Sequence, residues 1–165
     1  MQQIIKGNRV IDDDWSLVGA DTALDALPNS GNLIVPLALW KEHASALKAR
    51  DGGLGVWLDA EEIIEDIIEH LADFQVVALN FTAFTDGRHY SSARLLRERY
   101  GYKGEIRAIG DVLRDQLFLM RRCGFDAFAV RADRDPHDAL LGLDDFSVTY
   151  QAAVDDPLPL FRRRG

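Results

Sequence analysis

Short apolar, β-branched runs alternate with helical patterns through the middle of this chain, and that alternation restricts the fold more than any other feature. Residues 32–37 (NLIVPL), 54–58 (LGVWL), 75–81 (QVVALNF), 105–109 (EIRAI) and 127–130 (AFAV) are five such runs. Helical patterns over 40–50, 60–72, 91–100 and 112–123 lie between them, three of them closed by Gly52, Gly101 and Gly124. A strand buried on both faces reads as a continuous apolar run, and parallel pairing needs a long crossover between strands. The pattern therefore predicts an α/β fold of about five parallel strands alternating with helices. Strand centres fall 20–22 residues apart, with one interval of 30. That spacing suits either a three-layer doubly wound sheet or a partial (β/α) barrel.

The flanks are read from turn and cap signals. Gly7-Asn8 sits between Ile4-Ile5 and Val10-Ile11 and predicts a short N-terminal hairpin or extended arm. Residues 1–31 form this arm and a connector that ends in Pro28-Asn29-Ser30-Gly31, a turn signal. In the segment 60–72, Asp59 and Glu62 stand at capping-box spacing. Ile63, Ile64, Ile67, Ile68 and Leu71 oppose Glu61, Glu62, Glu65, Asp66 and Glu69, which predicts an amphipathic helix with a solvated acidic face. Asp135-Pro136-His137-Asp138 is a strong helix start. Residues 146–165 read as a tail ending in Arg162-Arg163-Arg164. With 165 residues, 47% of them hydrophobic, the chain reads as one domain over 1–165, its repeating units spanning 32–145.

Charge and composition exclude several functions. The net charge is −8, which argues against nucleic-acid binding. No apolar run has membrane-spanning length and no signal-peptide core is present, so the expected location is cytoplasmic. The single cysteine, Cys123, forbids an internal disulfide or a four-cysteine cluster; it reads as a structural, partly buried residue. His43, His70, His89 and His137 lack metal-ligand spacing, so no metal site is expected. P-loop, GxGxxG and GxSxG motifs are absent. No cofactor is predicted, although a flavin site needs no short motif and the sequence leaves flavin and nicotinamide open.

Against this acidic background, residues 84–126 hold nine of the nineteen basic residues and six acids, a net of +3, which leaves −11 for the remainder. An electropositive island focuses anions or acidic partners. The long loop after the third strand lies where ligands gather in parallel α/β folds. There Asp86-Gly87-Arg88 leads into a helix beginning near Ser91, with Tyr90, Ser91 or Ser92 as caps. Arg88, Arg94 and the helix N-terminus together form a candidate anion site. Asp111 is a candidate N-cap of the next helix, and Asp86 and Asp111 are the candidate general acid–base groups. Arg107, inside a strand, needs an acid from among Asp111, Asp115 and Asp86. Arg114 and Arg121 share a helix face as candidate partner contacts, beside a second pairing of Asp115 with Arg122.

The residues of this island resemble a known family. FTDGRxYSxARLLRERYGYxGExRAxGDVLRDQL, followed by RCGFD, resembles a bacterial family of unknown function. Its members often carry the label of an oxidoreductase involved in sulfite reduction, associated with sulfate assimilation. The resemblance is dense over 84–128 and looser over the sheet region and the SVTYQ tail. It implies a place beside sulfite reductase or another sulfate-assimilation enzyme. Sulfite reduction itself uses a cysteine-held cluster that one cysteine does not supply. The expected role is thus an accessory protein that docks through the basic face of helices 91–100 and 112–123, or that binds a small oxyanion. The alternatives are a small enzyme acting on an anionic substrate, and a structural homodimer joined through Tyr100-Gly101-Tyr102 and the helix 112–123.

Overall fold

A computed structural model of the protein describes residues 2–82 and 87–144. It is a mixed α/β fold built on an eight-stranded sheet curled into a half-barrel. The strands are β1 (Gln3–Lys6), β2 (Arg9–Asp12), β3 (Trp15–Leu17), β4 (Asn32–Pro36), β5 (Leu54–Leu58), β6 (Val76–Phe81), β7 (Glu105–Gly110) and β8 (Ala127–Phe128). Their spatial order is β2-β1-β8-β7-β6-β5-β4-β3. From β3 to β8 each strand pairs in parallel with the next in sequence. The predicted hairpin forms: Ile4 faces Ile11 and Ile5 faces Val10, and β1 then pairs antiparallel with β8. The expectation of about five strands is corrected to eight, because the hairpin joins the sheet and Trp15–Leu17 adds an edge strand.

The order decides between the two sheet architectures. A doubly wound sheet needs a reversal of strand order, and β3 to β8 has none. Crossovers of one hand that always advance in the same direction put every helix on the same face. Side-chain alternation bears this out. Leu33, Val35, Val56, Leu58, Val77, Leu79, Ile106, Ala108 and Phe128 share a core with helix residues Leu47, Leu96, Leu117 and Met120. The opposite parity, Ile34, Val76, Ala78 and Ile109, forms a separate small cluster with Trp15 and Trp57 packed on it. The three-layer alternative is therefore corrected to a two-layer half-barrel with helices outside.

What seals the concave face is the chain itself. β2 and β3 lie at opposite edges, yet only Asp13 and Asp14 separate them. Three Cα–Cα steps reach about 11 Å, so the sheet must curl until its edges nearly meet. Asp13 holds this crossing: its N–H donates to Gln2 O at 2.8 Å, and its Oδ1 accepts from Trp15 N at 3.0 Å.

The helices are α1 (Leu37–Lys48), α2 (Arg88–Glu98), α3 (Arg114–Cys123) and α4 (Pro136–Leu140). Helix α4 starts as predicted, with Asp135 Oδ1 accepting from His137 N at 2.9 Å. The expected helix over 60–72 is corrected to 3₁₀ turns at Ile64–Asp66 and Ile68–Asp73. Ile63 is extended, and Ile64 and Ile67, three apart, are the buried pair. Four β-branched isoleucines in six residues weaken the α-helix, and a spacing of three suits the tighter turn. Among the described residues no helix is long and apolar enough to cross a membrane.

Candidate functional site

At the carboxyl ends of β4, β5 and β6 the strands open into a cavity of about 500 Å³. Pro36 and Trp57 supply apolar wall, and the Trp57 ring is pinned by its Nε1–H donating to Val18 O at 2.8 Å. Thr82, Asp59, Glu61 and Glu62 supply the polar rim, and among the described residues no basic side chain lines it. Asp59 Oδ1 accepts from Ala60 N at 2.8 Å and from Asn80 Nδ2 at 2.9 Å. Glu62 Oε1 accepts from Asp59 N at 2.7 Å, which is the expected reciprocal half of the capping box. The cavity's field is negative and disfavours an oxyanion.

The start of α2 is locked onto this edge. Arg88 Nη1 donates to Glu61 O at 3.0 Å. The fully buried His89 places Nε2 2.8 Å from Asp59 O. A carbonyl only accepts, so Nε2 carries the proton. Sequence reasoning did not single out His89, whose only signal was its position in the long loop. The helix begins at Arg88 behind Gly87, so capping by Tyr90, Ser91 or Ser92 is corrected. Ser91 is exposed, and the buried Ser92 donates back to Arg88 O at 3.2 Å. Asp86 and the arginine tail lie outside the described residues.

Among the described residues the other candidate arginines do not converge with Arg88. Arg94 faces Glu98 at 3.6 Å, Arg114 faces Asp138 at 3.4 Å, and Arg121 donates to Gly7 O and Asn8 Oδ1. Arg107 is internal, its Nε 2.7 Å from Glu105 Oε2 and its Nη1 2.9 Å from Asp13 Oδ2. Lys6 adds a contact to Glu105 Oε1 at 3.0 Å. The side chains of Arg107, Glu105 and Asp13 are 4%, 6% and 9% exposed. The acids predicted for Arg107 are thus corrected to Glu105 and Asp13. Glu105 stands two residues away on the same face of β7, as strand period requires.

Asp111 is corrected from helix cap to ion-pair partner. Gly110 turns the chain sharply, Val112 N donating to Gly110 O at 2.9 Å, and α3 begins only at Arg114. Gln116 Oε1 accepts from Leu113 N at 3.1 Å in the first turn of that helix. Asp111 Oδ1 instead accepts from Arg131 Nη1 at 2.9 Å, while Asp133 takes Arg131 Nε and Nη2 at 2.6 and 3.0 Å. These bonds hold the Asp133 carboxyl below its ordinary range. Its contribution to stability is therefore complete above the unfolded carboxylate value of about 3.9. That contribution is lost as pH falls through the lower folded value. Acid titrations of stability should show wild type and Asp133→Asn separated at neutral pH and converging below about pH 4. A separation that stays constant through the acid range would contradict this.

Outside the barrel, α2 and α3 pack side by side and leave apolar and cationic groups in solvent. Leu95 and Leu119 are 38% and 48% exposed. Arg94 and Arg99 flank Leu95 in sequence, with the acid Glu98 between Leu95 and Arg99; Arg99 lies over Tyr100 at 5.6 Å, and the half-buried Arg122 lies over Phe118 at 5.8 Å. Tyr102 is turned inward, its hydroxyl donating to Phe74 O at 3.0 Å, and burial raises its pKa. Cys123 is buried. Among the described residues no group of histidine, cysteine and carboxylate side chains is arranged to hold a metal ion.

No curated protein matches the chain. Residues 55–161 match the family described as "Bacterial protein of unknown function (DUF934)". That span runs from β5 through α4 and takes in the carboxyl ends of β5 and β6, both outer helices and the motif-rich segment. The chain belongs to this DUF934 family of bacterial proteins.

Proposed function

We propose that this protein is an accessory protein of sulfite reduction, acting by docking α2 and α3 onto an acidic surface of the reductase. One observation carries the docking reading. Of the arginines in the basic segment, Arg94, Arg99 and Arg114 stand at the convex outer surface, where Leu95 and Leu119 are exposed, while the cavity at the carboxyl edge is lined by acids. A small-ligand site gathers its polar groups in a concavity; a partner site sets charged groups around a few apolar contacts on an open face. The sulfite-reduction label carried by the family that the 84–128 motif resembles supplies the partner.

Titration of the purified protein against assimilatory sulfite reductase tests this. Association should weaken steeply with added salt, because complementary charge governs encounter. Arg94→Glu with Arg99→Glu should lower affinity at least about tenfold, equivalent to ~1.4 kcal/mol. Binding that is absent at low salt, or unchanged in this variant, would overturn the proposal.

A further inference from the structure

The basic face has a complementary surface next to it on the same molecule. The segment 59–73 crosses the outside of the barrel between α1 and α2, because it connects β5 to β6 as α2 connects β6 to β7. Asp66 and Asp73 turn toward α1, facing Lys41 at 2.9 Å and Lys48 at 3.9 Å. Glu61, Glu65 and Glu69 are exposed and, among the described residues, carry no ion pair. Ile63, 41% exposed, lies among them. Two stripes therefore run side by side. One is acidic around an exposed isoleucine; the other, on α2, sets Arg88, Arg94 and Arg99 against the single acid Glu98 around exposed Leu95 and is net cationic. Arg88, bonded to Glu61 O, marks the seam between them.

We infer that a second copy of this chain occupies the basic face, in a two-fold dimer that sets the acidic stripe of each copy on α2 of the other. A two-fold axis lying along the seam, in the plane of contact, carries the acidic stripe of one copy over the cationic stripe of its partner. The same rotation makes the reciprocal contact, so the assembly closes at two chains. Both contacts join opposite charges around an apolar centre. The net charge of −8 on each copy opposes them, and this repulsion is screened beyond about 10 Å at 0.1 M salt. For its consequence the inference rests on the docking reading: a dimer held by α2 masks the face that the reductase needs, so docking and self-association compete. Its test does not rest on that reading, since no reductase is present.

Sedimentation of the full chain should show an apparent mass rising with concentration toward twice that of one chain. Two charge-reversal variants make the test specific. Glu61→Lys with Glu65→Lys should be monomeric, and so should Arg94→Glu with Arg99→Glu, because each places like charges opposite one another. Mixed in equal amounts, the two variants should form a heterodimer, because both contacts then pair opposite charges again. All the substituted side chains are at the surface, and urea midpoints equal to wild type would establish that both variants fold. A wild type that stays monomeric throughout would overturn the inference. Variants that dimerise alone, or a mixture that does not, would also overturn it. A wild-type monomer that still binds reductase through Arg94 and Arg99 would remove the dimer alone. A dimer that behaves as described, with no reductase binding, would remove the docking reading alone.

Discussion

Arg107→Met is expected to destabilise the fold by about 3–5 kcal/mol, the cost of removing one partner from a buried ion pair. The guanidinium bonds two carboxylates, Glu105 on its own strand and Asp13 in the crossing that joins the sheet edges. Without it, Glu105 keeps only half-exposed Lys6, and Asp13 keeps only a backbone N–H among these contacts. Both charges stay in a region of low dielectric, where they cost far more than at the surface. The loss should appear as a lower urea midpoint with an unchanged slope. Adding Glu105→Gln and Asp13→Asn should recover more than half of it, since the whole network is then uncharged while residue 13 keeps an acceptor for Trp15 N. A loss below about 1 kcal/mol, the range of exposed pairs, would mean that the crossing is held by its backbone bonds instead.

Gly110→Ala is expected to cost about 2–3 kcal/mol, in the upper part of the range for a residue held in an unfavourable backbone region. Gly110 has φ +88°, and a Cβ there would meet both Asn80 Oδ1 and the backbone oxygen of Phe81. The backbone cannot retreat, because Asp111 N donates to Phe81 O at 2.8 Å and extends the β6–β7 pairing. Asn80 in turn holds Asp59, so the strain reaches the acidic rim of the cavity. For a chain of this size the melting temperature should fall by about 4–12 °C. A change within experimental error would show that the strand ends yield more than their bonding implies.

These features differ in how far the sequence announces them. The parallel strands β4 to β7 are legible because strands buried on both faces are continuously apolar, and the hairpin because Gly7-Asn8 punctuates two short apolar pairs. Trp15–Leu17 is not legible as a strand. It has three residues, follows three aspartates, and gains its identity only by pairing with β4. Half-barrel and layered sheet share the same local periodicity and differ only in strand order, which is a property of the crossovers taken together. The two-residue link between β2 and β3 is the signal for closure, but it has meaning only once both are known as edge strands. Glu105 was within reach as the partner of Arg107 by the two-residue strand period. Asp13, 94 residues away, was not. Asp111 has every local mark of a helix cap, and the tight turn at Gly110 hands it to Arg131 instead. His89 is spatially tied to Asp59, 30 residues distant, and nothing in its own neighbourhood discloses that bond.

The docking face itself is tested most directly by hydroxyl-radical footprinting of the protein with and without sulfite reductase, at a concentration where the chain alone is monomeric. Oxidation of Leu95 and Leu119 should fall on complex formation, while Leu17 and Leu141, the more exposed at 53% and 54%, are unaffected. Protection confined to Trp57 and Pro36 at the mouth of the acidic cavity, with Leu95 and Leu119 oxidised as in the free protein, would contradict it.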